Sequence, residues 1–235
     1  MKYTARVLGL LVALINFPTT ARAELITVGF GGATVIDFSQ FGGIGYNFTF
    51  GPTQIGSVVG LDVVFTANPL NGGNSGFGAV LGSGAYGLSA NGSWTDAPTY
   101  SGLDSSVGAM TYLFNFGLVS EVGGFVNYGP DLGPPVILEA LDRGGSILES
   151  HVLNREAPIS TPFLFNAGAF RGIRRAQADI AGFRISNSYV VLDDLAFGSS
   201  ATPVPEPSTL VLVVSGAIAL ASRSRNRSRR GQTQH

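Results

Sequence analysis

The chain has 235 residues, no cysteine and a formal net charge of −1. The missing cysteines exclude a disulfide framework and thiol chemistry, and a chain of this length can bury a core without them. The near-neutral sum conceals a division: residues 24–201 hold six arginines, no lysine and fourteen acids, a charge of −8, which argues against nucleic-acid binding, whose footprint is basic, and against docking on anionic lipid except through the tail.

Residues 1–23 have the pattern of a cleavable secretory signal. Lys2 and Arg6 form a positive start, residues 7–17 are mostly apolar, and Ala21-Arg22-Ala23 places small residues where a signal peptidase reads them. The apolar stretch is too short for a permanent anchor, which needs about 20 residues. Glu24 is the expected mature N-terminus.

Residues 24–201 read as one all-β domain. No segment sustains a helical period, and short β-rich runs recur between Gly, Pro, Asn and Asp. The expected strands are 25–30, 34–38, 46–50, 58–66, 110–119, 124–128, 136–142, 146–153, 182–186 and 189–197. Tyr46, Phe48 and Phe50 share one face of their strand, and Tyr112, Phe114 and Phe116 share one face of theirs. Strands this short with turns this frequent predict an antiparallel jelly-roll-type sandwich, with a closed barrel as the alternative.

Residues 71–92 carry eight glycines and almost no charge. They are expected to form a long excursion at one edge of the sandwich, with a binding loop as the other reading. No Gly-Lys-Ser/Thr follows for a phosphate loop, and the aspartates of a repeat-type calcium loop are missing. Tyr86, Trp94 and Tyr100 stand in a stretch otherwise rich in Gly, Ser, Asn and Thr. Exposed there, they would make flat stacking platforms for a glycan; Trp94 could equally plug the edge of the core.

Further along, Asp142-Arg143-Gly144-Gly145-Ser146 is a hairpin signal between two strands. His151 is the single histidine before the C-terminal His235, which excludes a metal site rich in histidine or thiolate. Alternation places it beside Glu149 on a solvated strand face. No Gly-x-Ser-x-Gly elbow nominates a nucleophile. Glu139, Asp142, Glu149 and Asp193 are carboxylates for a glycosidase, but no spacing selects a pair. The chain is therefore expected not to be an enzyme.

Asp193 and Asp194 lie in a run whose two faces are otherwise apolar, so at least one carboxylate is expected to be partly buried and to need a partner. Hydrogen bonding or pairing with an arginine such as Arg184 is one solution. A structural Ca²⁺ held by these carboxylates is the other.

The chain ends in Val204-Pro205-Glu206-Pro207-Ser208-Thr209, an apolar run over 210–221, and Arg223, Arg225, Arg227, Arg229 and Arg230. The prolines around Glu206 keep the backbone extended and deny it a helix. As a helix, residues 208–222 would span about 22 Å against a hydrocarbon core of about 30 Å, with the arginines left on the cytoplasmic side. A short transmembrane helix of this kind suits a transient tether, with snorkelling arginines covering the shortfall.

This ordered tail resembles the PEP-CTERM sorting signal, over residues 202–230. The resemblance implies recognition of Pro205, Glu206 and Pro207 by an exosortase, a membrane transpeptidase that supplies its own catalytic residues. It also implies a Gram-negative-type envelope with an extracellular polysaccharide system. Within 110–198, Val122-Gly123-Gly124-Phe125, Val136-Ile137-Leu138-Glu139-Ala140-Leu141-Asp142, Phe170-Arg171-Gly172-Ile173 and Val190-Val191-Leu192-Asp193-Asp194 are loosely similar to lectin-like, carbohydrate-binding jelly-roll domains. That similarity favours calcium at the last strand. The expected role is a secreted cell-surface or matrix protein, structural or associated with exopolysaccharide. A polysaccharide hydrolase and a surface protein without a discrete ligand are the alternatives.

Overall fold

Met110, Tyr112 and Phe114 alternate with Thr111 and Leu113, the two-residue period that buries one face of a strand. In the computed structural model those three are buried and their neighbours are only partly covered. The structure describes residues 23–42, 47–78, 99–129, 131–159 and 168–199. The expected signal up to Arg22 and the sorting tail lie outside these residues. Among the described residues no helix is long and apolar enough to cross a membrane.

The strands are β1 (Glu24–Ile26), β2 (Thr34–Ile36), β3 (Asn47–Phe48), β4 (Thr53–Gln54), β5 (Val63–Pro69), β6 (Asn74–Gly78), β7 (Tyr100–Asp104), β8 (Gly108–Phe114), β9 (Glu121–Asn127), β10 (Ile137–Leu141), β11 (Ile147–Val152), β12 (Ala169–Arg174), β13 (Gly182–Ser186) and β14 (Val191–Gly198). One short helix, α1 (Leu153–Glu156), follows β11. The fold is the expected all-β sandwich of antiparallel sheets. An eight-stranded sheet runs β1-β12-β9-β14-β7-β6-β3, with β2 also paired to β14, and a six-stranded sheet runs β11-β10-β13-β8-β5-β4. From β7 onward the chain changes sheet at every connection except the β10–β11 hairpin, so each inner face is built from distant segments.

The core lies between the sheets. Phe65 and Tyr112 from the six-stranded sheet meet Phe77 and Phe38 from the other side, with ring centroids 4.7–6.5 Å apart. One polar bridge crosses this apolar interior. The Tyr112 hydroxyl lies 2.6 Å from Ser101 Oγ, which also donates to the Leu192 carbonyl at 3.0 Å. Burial raises the Tyr112 phenol above its ordinary value. A second, smaller cluster covers the outside of the eight-stranded sheet, where Phe30 closes edge-on over Phe170 beside Ile26 and Ala196.

Several expected elements change in the structure. Residues 71–92 are not one edge excursion, because residues 74–78 form β6 inside the eight-stranded sheet. The glycines there serve close packing: a Cβ on Gly76 would overlap the Asn47 carbonyl oxygen, and one on Gly73 would press on Ser105. Strands β7 and β12 also lie outside the expected set. The run over 58–66 begins as a 3₁₀ turn, Gly56–Val59, and becomes strand at Val63. Phe48 and Phe50 both face outward, at 50% and 55% exposure.

The hairpin signal is met by β10 and β11. Asp142 Oδ1 accepts the Gly144 and Ser146 amides at 2.8 Å each, and Gly145 takes a positive φ of 79°. The aspartate satisfies donors that the turn would otherwise leave to water, and glycine adopts the left-handed conformation without a Cβ clash.

Candidate acidic junction and sorting tail

β14 pairs with β9 along one side, but on its other side it changes partner. Val191 and Leu192 face β7, whereas Leu195, Ala196 and Phe197 face β2. Asp193 and Asp194 occupy the gap, and the register against β9 shifts between Asp193 and Ala196. A bulge is how a strand absorbs such a change. Asp194 takes the left-handed conformation, φ 50°, and its amide donates to Asp193 Oδ1 at 2.8 Å.

Asp37, the residue after the end of β2 at Ile36, is the third acid of this junction. Asp193 is 8% exposed. Burial, then the Asp194 and Asp37 carboxylates, push its carboxyl up to about 7, against the Asp194 amide, which lowers it. Burial and Asp37 raise Asp194 as well. Like charges at a partly desolvated site disfavour ionisation.

The partners proposed from sequence are not both present. Arg184 does not pair with Asp193 or Asp194: its Nε donates to Glu139 Oε2 at 2.6 Å across β13 and β10, in the other sheet. The residues also do not fit a calcium cage. Ca²⁺ takes six to eight oxygens, whereas Asp37 Oδ1 already accepts the Ser39 amide and hydroxyl and Asp193 Oδ1 accepts the Asp194 amide. Among the described residues no three of His, Asp and Glu are arranged to hold a metal ion.

His151 is buried, not on a solvated face. Its Nδ1 lies 2.7 Å from Glu156 Oε2 on α1, and since a carboxylate only accepts, Nδ1 is assigned the proton. The same Glu156 accepts the Val152 amide at 2.9 Å, and these bonds hold its carboxyl below the ordinary range. Nε2 is enclosed without a hydrogen bond, 3.7 Å from Glu149 Oε1. An enclosed nitrogen offers no approach for a substrate proton.

The four candidate carboxylates are not brought to one cleft. Glu139 is engaged by Arg184, Asp142 closes the hairpin, Glu149 lies 3.7 Å from Arg175, and Asp193 belongs to the opposite sheet. Of the three aromatic candidates, Tyr86 and Trp94 lie outside the described residues. Tyr100 does not offer a stacking face: it is 1% exposed, packed against Val191. Alternation explains this, because Tyr100 opens a strand inside the sheet and is not part of the loop before it.

Sequence reasoning missed two polar features. Arg171 is buried with carbonyl partners at Ala157, Phe170 and Pro158, and burial lowers its pKa. Glu121 is buried and paired with Arg174, which also reaches Glu24 at 3.3 Å. The second was traceable, since residue 121 opens an apolar run; the first depends on a fold-level approach that no local pattern reports.

The tail has a match among known proteins: residues 203–227 fit the PEP-CTERM protein-sorting motif. The motif implies export, membrane-anchored transit to the surface and processing by an exosortase-type enzyme. No curated protein and no solved structure matches the chain.

Proposed function

We propose that this chain is an exported matrix or cell-surface protein whose β-sandwich is a cargo released from its tail, structural or glycan-associating in an exopolysaccharide setting of a Gram-negative-type bacterium. The observation that carries this reading is the sorting motif over residues 203–227. The prolines on both sides of Glu206 disfavour a helix, which suits a segment that a processing enzyme must grip. The N-terminal pattern over residues 1–23 supplies the route to that enzyme, by way of a signal peptidase.

The body supports a passive role better than a chemical one. Its one histidine is closed off, and the candidate carboxylates Glu139, Asp142, Glu149 and Asp193 are held by ion pairs, a turn or the acidic junction. Glycan association rests on Tyr86 and Trp94, in a segment poor in charge.

Two outcomes follow. Replacing Pro205, Glu206 and Pro207 together with alanine will leave the full-length protein in the membrane fraction, while the parent chain is shortened and leaves it; mass spectrometry of both fractions reads the difference. Identical processing of the two chains would refute sorting through this motif. In sedimentation with the producing cell's own exopolysaccharide, the released protein will co-sediment and Trp94→Ala will lose most of that binding. Unchanged binding by Trp94→Ala would remove the loop from the glycan reading.

A further inference from the structure

Both ends of the body leave it from one place. Glu24 of β1 is registered with Arg174 of β12, Arg174 with Glu121 of β9, and Glu121 with Gly198 of β14. Neighbouring strands are about 4.8 Å apart, so Glu24 and Gly198 end within roughly 15 Å of each other. Arg174 binds both Glu24 and Glu121 and so ties the N-terminal strand into this row.

The six-stranded sheet ends at the same level. Val119 bridges to Ile180, the Ser120 amide donates to the Gly198 carbonyl at 3.0 Å, and Phe197 packs on Phe114 with centroids 5.0 Å apart. The turn over 56–62, the hairpin over 142–146 and the turn after Phe114 therefore share this end. They expose Val58, Ile147 and Phe116. Arg143 lies there too, as do Arg174, paired with Glu24 and Glu121, and Arg175, paired with Asp179.

The covalent tether is short. Residues 199–203 separate Gly198 from Val204, and a residue spans at most about 3.3–3.6 Å, so Val204 lies no more than roughly 22 Å from the end of β14. The tail beyond it is the segment that the sorting motif places at the membrane.

We infer that, before release, the sandwich stands end-on against the bilayer, with the turns carrying Val58, Phe116 and Arg143 facing the lipid headgroups and α1 facing away. This rests on the reading of the tail as a membrane tether. Two observations converge on the lipid surface as the occupant: the tether's length and origin, and the apolar side chains of Val58, Phe116 and Ile147 exposed on that end. Exposed apolar groups gain by entering the headgroup region. The signal segment before Glu24 reaches the same membrane from the same end, so one orientation serves both processing steps.

The chain lacks cysteine, so single cysteines can be labelled without background. Arg143→Cys marks the near end; Arg155→Cys on α1 and Leu132→Cys mark the far end. Each full-length variant, carrying an environment-sensitive dye, is reconstituted in phosphatidylethanolamine–phosphatidylglycerol vesicles containing a headgroup spin-label quencher. The inference predicts loss of emission at Arg143→Cys and unchanged emission at Arg155→Cys and Leu132→Cys. Equal quenching at both ends, greater quenching at the far end, or vesicle-bound protein with no quenching anywhere would overturn it while leaving the tether intact. Failure of the full chain to float with the vesicles would overturn the tether reading and this inference together.

Discussion

Replacing Asp193 with asparagine is expected to stabilise the protein at pH 8. In the folded chain the carboxyl is pushed up to about 7 by burial and by Asp194 and Asp37, whereas an unfolded aspartate titrates near 3.9. Between those values the folded state holds a proton that the unfolded state has released. Stability therefore falls as pH rises through this window, and it levels off below about 4 and above about 7. The full loss is on the order of 4 kcal/mol, a bound that local relaxation reduces.

Asparagine keeps an oxygen for the Asp194 amide, now held at 2.8 Å, and removes the ionisation. Denaturant midpoints at pH 4.5 and 8 will show the parent weaker at pH 8 and the Asp193→Asn chain nearly flat. A smaller slope of the same sign remains, because burial and Asp37 also raise Asp194. Loss of stability in Asp193→Asn at pH 8 would mean that the ionised carboxylate is favourably paired. Adding calcium or a chelator separates the two cases. A bound cation would stabilise the parent and not the variant, and the geometry of the junction predicts no difference for either.

Phe77→Ala is expected to cost about 3–5 kcal/mol, the range for deleting a buried phenylalanine side chain. Phe77 has no exposed surface. Its ring stacks on Phe41 at 4.0 Å and meets Phe65 of the opposite sheet at 4.7 Å. Truncation removes these contacts at the point where the two sheets close on each other, and the backbone of β6 is too tightly flanked at Gly73 and Gly76 to collapse into the space. The melting temperature will fall by roughly 10 °C or more for a domain of this size. Phe50→Ala, an exposed phenylalanine of similar sequence setting, is the control and will change stability by about 0.5 kcal/mol or less. Equal effects from the two variants would show that residues 74–78 contribute no core strand.

The elements that local chemistry specifies were legible. The turn over 142–146 carries its own hydrogen-bond acceptor and glycine, so β10 and β11 follow from four or five adjacent residues. Residues 182–186 alternate cleanly and form β13. β6 and β7 were not legible, because Asn74-Ser75-Gly76 and Ser101-Gly102 have weak strand preference. Pairing on both sides holds these segments extended, and propensity yields to that. β12 combines two arginines with Gly172, which faces Gly123 on β9 where a Cβ would overlap the opposing backbone. Asp193 and Asp194 stood out as acids in an apolar run, but Asp37 lies more than 150 residues earlier and joins them only because β2 pairs with β14.

By itself, the amino-acid sequence determined the tail motif, the export pattern, the absence of thiol chemistry and the all-β class. Each is carried by linear order, composition or a two-residue period, and needs no distant contact. The tertiary structure alone decided which charges are paired, Arg184 with Glu139, Arg174 with Glu121 and His151 with Glu156, and which like charges are crowded together, Asp37, Asp193 and Asp194 at the β14 bulge. It also decided that Tyr100 is enclosed and that Glu24 and Gly198 lie at one end of the sandwich. These depend on register between strands far apart in the chain, where a shift of one residue would turn every side chain to the opposite face.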